Sequence, residues 1–128
     1  AYMYLNRINN ELYDGKSNIC YLLHKKAKAH GLSEDITIPE DVKLLIIPDA
    51  GTNDVAQCTE LVNRGVQIVI LDHHEKEESE IKMPEEVVIV NNQCSPRYKN
   101  KTYVGQALFI DFCKQWMTNY GSIMLMII

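Results

Sequence analysis

Two acidic residues and a histidine pair follow apolar runs of the sequence at the points where those runs stop. Asp49 comes directly after LLIIP, and Asp72, His73 and His74 come directly after IVIL. Carboxylate oxygens and imidazole nitrogens together suit Mn²⁺ or a similar divalent ion better than a thiolate site does. If the two runs are neighbouring parallel strands, their carboxyl ends meet at one sheet edge, where ligands gather. The pattern therefore predicts a shared metal site.

Each of these residues also has an ordinary structural interpretation. Asp49 could cap the helix that follows it, although Thr52 and Asn53 are better placed for that role. A single histidine after a strand is usually a surface residue, but two histidines after an aspartate at the end of a buried strand favour a binding role. The acidic run from Glu75 to Glu80 is predicted to be a solvated loop with no special role.

The surrounding sequence alternates between helix-like and strand-like patterns. Amphipathic periodicity indicates the helices, and continuous apolar runs indicate strands that are covered on both faces. Strand, helix and strand with short connections form the βαβ unit, so the sequence predicts an α/β fold with a parallel, Rossmann-like sheet and flanking helices. The predicted elements are a helix at Tyr2–Leu12, strands at Ile19–Leu23 and Val42–Ile47, a helix at Asp54–Arg64, strands at Val66–Leu71 and Val87–Val90, and a helix at Val104–Trp116.

The bulk properties are those of an ordinary soluble domain. The chain has 128 residues, which fits one domain with a modest core. Its formal net charge of −4 argues against binding of nucleic acid through positive charge over the whole surface, but it is compatible with a local basic groove. The four cysteines form no CxxC pair, which favours reduced thiols in a cytoplasmic protein. The last apolar stretch is far shorter than the roughly 20 residues that cross a bilayer, so no membrane association is expected.

In three segments the sequence resembles the DHH phosphoesterases, a family named for the tripeptide at 72–74, and within it the RecJ-type single-stranded-DNA exonucleases. HGLSEDITIPEDVKLLIIPDAGTND is similar to the second motif of the family, and IVILDHHEKEE is similar to the third. VIVNNQCSPRYKNKTYVGQALFIDFCK is similar to the segment that leads into its glycine-containing substrate loop. The resemblance implies a partial DHH domain over residues 1–128 that hydrolyses single-stranded DNA or short oligonucleotides with Mn²⁺ (or Mg²⁺).

The resemblance also implies roles for the residues at the two strand ends. Asp49 and His73 would be metal ligands. His74 would face the scissile phosphate and Asp72 would orient the histidine pair, so these two are the candidate catalytic residues. Two bound metal ions would polarise the phosphate and lower the pKa of a bound water.

Candidate substrate-binding residues follow the last predicted strand. The resemblance assigns this role to Asn92, Arg97 and Gly105, with Asn91 beside them. Turn chemistry and a surface charge are equally good interpretations of the two asparagines and the arginine. Tyr103 stands where the family usually has a small residue, so only Gly105 keeps a permissive backbone position in this loop.

The sequence departs from the family pattern at both ends. The aspartate-rich first motif, DxDG, has no match, because YDGK at 13–16 lacks the second aspartate. Residues 1–128 are also not expected to include the C-terminal DHH-associated domain. The tail GSIMLMII stands where relatives carry another metal-binding aspartate, and its lack of polar alternation predicts an exposed apolar segment. One set of codons for these residues, AGT-ATT-ATG-CTG-ATG-ATT-ATT, reads Tyr-Tyr-Ala-Asp-Asp-Tyr once its first two bases are dropped. We therefore hypothesise a frameshift, which the nucleotide sequence of the gene tests.

Two classes of function stay open on these grounds. One is a phosphodiesterase with impaired activity, acting on single-stranded DNA or alternatively on oligonucleotides or cyclic dinucleotides. The other is a non-catalytic DHH remnant that serves as a binding scaffold. Because only two aspartates and two histidines converge, and the glutamates after His74 lie on a loop that no strand end fixes, we expect weak metal binding and little or no DNA hydrolysis.

Overall fold

A computed structural model describes residues 2–24, 31–33, 36–104, 107–111 and 125–127. Residues 107–111 are helical. The other elements are, in chain order, helix α1 (Tyr2–Tyr13), strand β1 (Tyr21–Leu22), strand β2 (Leu44–Pro48), helix α2 (Val55–Asn63), strand β3 (Gln67–Asp72), strand β4 (Val87–Asn91) and strand β5 (Leu125–Ile127).

The five strands form one sheet in the order β1-β5-β2-β3-β4, and every neighbouring pair is parallel. β2 pairs with β3 from Leu44 opposite Gln67 to Pro48 opposite Leu71. β3 then pairs with β4 as far as Asp72 opposite Asn91. The predicted α/β fold with a parallel, Rossmann-like sheet is therefore confirmed.

Both faces of the central strands β2 and β3 are largely buried, which explains why these strands are apolar without alternation. On one face, side chains of β2 and β3 pack with α2 through Leu45, Ile68 and Leu61. On the other face, Ile46 and Leu71 pack with Leu5 of α1 and with Leu108 and Phe109 of the helical residues 107–111. Successive residues of β2 thus point into different halves of the core.

The predicted boundaries hold to within a few residues in the part of the chain that is described. The strand predicted at Ile19–Leu23 is reduced to two residues, and the one predicted at Val42–Ile47 begins at Leu44. α2 ends near Gly65 as predicted: this glycine has a φ of 81°, and its N–H donates to the carbonyl of Val62. Of the helix predicted at Val104–Trp116, Val104 lies outside the helical residues 107–111, and residues 112–116 lie outside the described part.

Residues 125–127, which the sequence predicts to lie in an exposed apolar segment, are part of the sheet. These residues form β5, which lies inside the sheet between β1 and β2. Met126 is the register partner of Tyr21 on one side and of Ile46 on the other. An apolar run without polar alternation is typical of a strand inside a parallel sheet, the same pattern that β2 and β3 show.

Three of the four cysteines lie in the described part of the chain, and all three are free thiols. Cys58 of α2 is fully buried in the core, and burial together with the nearby charge of Asp54 raises the pKa of its thiol to about 12. Cys20 and Cys94 are exposed. Within the described residues, no helix is both long and apolar enough to span a membrane.

Candidate active site

The parallel register brings the ends of β2, β3 and β4 to one edge of the sheet. Pro48 lies opposite Leu71, and Asp72 lies opposite Asn91. Asp49 and the pair His73–His74 therefore come just beyond neighbouring strands, as the sequence pattern predicts.

Asp49 and His73 are in contact at this edge. Oδ1 of Asp49 lies 3.1 Å from Nε2 of His73, and 54% of the Asp49 side chain is exposed. The backbone of Asp49 has a φ of 70°, in the left-handed region that non-glycine residues rarely adopt. Its N–H donates to the carbonyl of Leu71 at 2.8 Å, which ties the turn after β2 to the end of β3.

Asp72 is the buried centre of the turn that carries the two histidines. Its side chain is 1% exposed, and Oδ1 accepts from the N–H groups of His73 at 2.7 Å and His74 at 3.2 Å. Oδ2 accepts from the N–H of Thr52 at 3.1 Å. Burial by itself would raise the pKa of Asp72, but side-chain and backbone hydrogen bonds from Thr52 and His74 outweigh it and lower the pKa below its usual value. Asp72 is thus held as a carboxylate.

His74 is oriented by this carboxylate. Its Nδ1 lies 2.6 Å from Oδ1 of Asp72, and half of its side chain is exposed. A carboxylate can only accept, so Nδ1 of His74 carries the proton and, in the neutral ring, Nε2 carries the lone pair. The rings of His73 and His74 lie 4.5 Å apart between centroids.

A cleft of about 330 Å³ opens beside these residues, with Asp72 and His74 in its lining. Gly31 also lines this cleft, and a β-carbon at this position would lie 2.1 Å from Oδ2 of Asp54. That same oxygen accepts from the N–H of Leu32 at 2.7 Å. Asp54 therefore holds the segment 31–33 against the cleft, and the sequence alone gave no sign of this contact.

The acidic loop after the histidines is more tightly held than the sequence predicts. Asn53 donates through Nδ2 to the carbonyl of Glu75 at 3.1 Å and accepts through Oδ1 from the N–H of Glu77 at 3.0 Å. The carbonyl of His74 accepts from Asn91 at 2.8 Å. The prediction that no strand end fixes this loop is wrong for its first residues, because Asn91 at the end of β4 holds the carbonyl of His74 and Asn53 holds Glu75 and Glu77.

The candidate substrate-binding residues have different positions. Asn92 is fully buried, and its Nδ2 donates to the carbonyls of Asn100 at 3.1 Å and Tyr103 at 3.0 Å. Asn92 thus braces the loop of residues 92–103, while its Oδ1 is buried without a partner. Arg97 is exposed on that loop. Gly105 lies outside the described residues.

The ammonium group of Lys101 bonds to the backbone of the same loop. Nζ of Lys101 donates to the backbone carbonyl of Asn92, to that of Gln93 at 3.2 Å and to that of Ser95 at 2.8 Å. Its ammonium group is therefore engaged by the loop itself and is not available to a ligand in this conformation.

Asp49 and His73 fit a divalent metal by the separation of their donor atoms. Two bonds of about 2.1 Å at a right angle place their donors about 3 Å apart, and the observed separation is 3.1 Å. Among the residues that the structure describes, no group of three or more histidine, cysteine or acidic side chains is placed to hold a metal ion. The described part of the chain thus offers a pair of ligands and not a complete set.

Comparison with known proteins finds two similar sequences. The chain is 43% identical over 99 residues to a protein of Bacillus subtilis (strain 168) named as an SPbeta prophage-derived single-strand DNA-specific exonuclease, YorK. It has the same identity, over the same length, to a protein of Bacillus phage SPbeta named as a single-strand DNA-specific exonuclease. The alignment covers 77% of this chain but spans 16% of the length of each relative. No family profile matches the chain, and no solved structure matches it.

Proposed function

We propose that this chain carries part of the active site of a metal-dependent phosphodiesterase of the DHH, RecJ-like type that acts on single-stranded DNA. The observation that carries the proposal is the contact of Asp49 with His73 at 3.1 Å beside a His74 ring held by buried Asp72. The similarity of the chain to two proteins named as single-strand DNA-specific exonucleases supports single-stranded DNA as the substrate.

Asp49 and His73 are the residues that would hold Mn²⁺ or Mg²⁺. A bound ion would polarise the phosphate and lower the pKa of a water molecule. Asp72 fixes the position of the His74 ring, which lines the cleft and is half exposed. We assign to His74 the contact with the scissile phosphate and to Asp72 the orientation of that ring.

Substrate contacts beyond the reacting phosphate are assigned to the loop of residues 92–103. Arg97 is exposed there, and a guanidinium group matches the geometry of a phosphate. Both N–H donors of Asn92 are already engaged by loop carbonyls. Asn92 therefore contributes to binding through the shape of the loop and not through a direct contact.

A binding scaffold without catalysis is the second candidate function. It is favoured by the absence, within the described residues, of any group of three or more metal-binding side chains. Two-metal hydrolysis needs enough anionic ligands to hold two ions about 3.5–4 Å apart against their mutual repulsion. For this reason we expect this chain to bind Mn²⁺ weakly and to hydrolyse DNA poorly or not at all.

The test is incubation of the purified chain with Mn²⁺ and 5′-labelled single-stranded DNA, with metal binding followed in parallel. Any turnover is expected to be slow and to be lost on chelation and in the variants Asp49→Asn and His73→Gln. Asp14→Asn is the matched control, because Asp14 is the other described non-glycine residue with a positive φ, at 53°, and lies in the turn after α1.

Three outcomes separate the candidates. Turnover that depends on Mn²⁺ and on Asp49 but not on Asp14 supports the phosphodiesterase. Binding of Mn²⁺ and DNA without turnover supports the scaffold. Turnover that survives chelation, or that is unchanged in Asp49→Asn, contradicts the proposed site.

A further inference from the structure

Asn91, the last residue of β4, uses every hydrogen-bonding position of its side chain. Nδ2 donates to Oγ1 of Thr52 at 2.9 Å and to the carbonyl of His74 at 2.8 Å. Oδ1 accepts from the N–H groups of Gln93 at 2.8 Å and Cys94 at 3.3 Å. A carboxamide has two N–H donors and two acceptor lone pairs, so this group is saturated and its orientation is fixed by its partners.

Thr52 connects Asn91 to the buried carboxylate of Asp72. Its hydroxyl oxygen accepts from Nδ2 of Asn91 at 2.9 Å. The bond from Asn91 leaves the hydroxyl proton able to donate, and hydrogen bonding from the Thr52 side chain lowers the pKa of the Asp72 carboxyl group. The N–H of Thr52 donates to the same carboxylate at 3.1 Å.

The four residues form a closed ring of hydrogen bonds. Asn91 bonds to the hydroxyl of Thr52, the N–H of Thr52 to Asp72, Asp72 to Nδ1 of His74, and the carbonyl of His74 returns to Asn91. Asn91 and Thr52 are each 3% exposed and Asp72 is 1% exposed. In such buried surroundings a fully satisfied network is rigid, whereas one missing donor leaves an unpaired polar group.

We propose that Asn91 and Thr52 are positioning residues that fix the His74 ring, and hold its proton on Nδ1, by acting at both ends of that residue. Thr52 acts through Asp72 on the ring, and Asn91 acts directly on the His74 carbonyl. Neither residue lies at the reacting atoms. The catalytic consequence of this role rests on the proposed function, but the effect on the His74 ring does not.

Asn92 provides a matched comparison one residue away. It is also a buried asparagine whose Nδ2 donates twice, but its acceptors are carbonyls of Asn100 and Tyr103 in the loop of residues 92–103. Loss of its amide disturbs that loop and leaves the ring of hydrogen bonds around Asp72 intact. The two positions therefore separate an effect on His74 from a general effect of losing a buried amide.

The substitutions can be chosen to remove hydrogen-bonding groups with little change of side-chain shape. Asn91→Asp keeps the oxygen that accepts from Gln93 and Cys94 but removes both donors. Thr52→Val keeps the side-chain shape but removes the hydroxyl group, and Thr52→Ser restores it. If Asn91→Asp does not fold, the two Thr52 variants decide the question by themselves.

The experiment is imidazole NMR of the ¹⁵N-labelled chain without metal or DNA, under mildly alkaline conditions. In the unsubstituted chain we expect His74 as the Nδ1–H tautomer, with a slowly exchanging proton. In Asn91→Asp and Thr52→Val this proton should exchange at least about tenfold faster, which corresponds to about 1.4 kcal/mol. Thr52→Ser and Asn92→Ala should keep the original signal.

An unchanged His74 signal in the folded Thr52→Val variant overturns the positioning role, and so does equal loss of the signal in Asn92→Ala. A second measurement follows hydrolysis of single-stranded DNA with Mn²⁺, where Thr52→Val should lower kcat about 10–100-fold at similar KM and Thr52→Ser should restore most of it. Absence of turnover in the unsubstituted chain supports the scaffold over the phosphodiesterase, while the metal-free spectra still decide the role of Asn91 and Thr52.

Discussion

Asp49 combines a candidate metal ligand with a backbone conformation that costs free energy. Its φ of 70° is disfavoured because the β-carbon of an L-residue crowds the neighbouring backbone. Such conformations are found at sites where the surrounding structure holds them for function. Here the N–H of Asp49 is held by the carbonyl of Leu71, which presents the carboxylate to His73.

Replacement of Asp49 by glycine should therefore increase stability and remove metal binding. Glycine adopts a positive φ without the steric cost, so the free energy of unfolding should rise by about 0.5–1 kcal/mol after allowance for the greater freedom of the unfolded chain. Urea unfolding measures the first effect, and Mn²⁺ titration measures the second.

Asp14→Gly is the control for this prediction, because Asp14 has a φ of 53° in the turn that follows α1. It should stabilise the chain to a similar extent without any change in Mn²⁺ affinity. A loss of stability in Asp49→Gly would show that the contact with His73 outweighs the backbone strain.

At the scale of the elements, the turn after β2 and the loop after β3 are joined by side chains that the strand pattern does not reveal. Asn53 holds the acidic loop from one side through both of its amide positions. Asn91 holds the start of the same loop from the other side. The glutamates that follow His74 are therefore carried by an anchored segment at the mouth of the cleft.

Loss of the Asn53 contacts should make this loop easier to open. Asn53→Ala removes two exposed hydrogen bonds, which together contribute about 1 kcal/mol and so shift local opening roughly fivefold. Cleavage by trypsin after Lys76, between the two anchored residues Glu75 and Glu77, should accelerate by that factor.

Cleavage after Lys82 is the internal control, since Lys82 is exposed and lies beyond the contacts of Asn53. Equal acceleration at both lysines would indicate global destabilisation and would contradict a local effect of Asn53 on the loop.

At the scale of the whole molecule, the order of the strands decides which parts of the sequence support the site. β2 and β3 carry the candidate ligands and lie in the interior of the sheet, with β5 and β4 on their outer sides. β5 joins β1 to the rest of the sheet, because it pairs with β1 on one side and with β2 on the other. The residues at 125–127 are therefore expected to stabilise the strand that positions Asp49.

Interruption of β5 should weaken the half of the sheet that contains β1 and β2. Met126→Pro removes a backbone N–H from a strand paired on both sides, and a destabilisation of at least about 2 kcal/mol is expected. Hydrogen exchange should show loss of protection at Leu45 and Ile46, whereas amides at the β3–β4 pair, such as Val88, should change less. Met126→Val, which suits a strand, is the control, and equal exchange in both variants would show that β5 does not support β2.

The sequence by itself determined the local pattern of this protein and the meeting of its main candidate ligands. Apolar runs with no polar alternation predict strands covered on both faces, and a helix of suitable length between two such runs predicts that they are parallel. From these two facts it follows that Asp49 and His73 lie at one edge. The same reasoning did not place residues 125–127, because the pattern of an interior strand resembles that of an exposed apolar segment until its neighbours are known.

Only the tertiary structure decided which polar side chains hold the site in place. The bond from Asn91 to Thr52 joins positions 39 residues apart in the chain, and its bond to His74 joins positions 17 residues apart. Sequence patterns report which face of an element is buried, but a hydrogen bond depends on the distance and direction between two particular atoms. For that reason the candidate ligands could be predicted from residue types at strand ends, whereas the roles of Asn53, Asn91 and Thr52 became visible only when the strand ends were brought together.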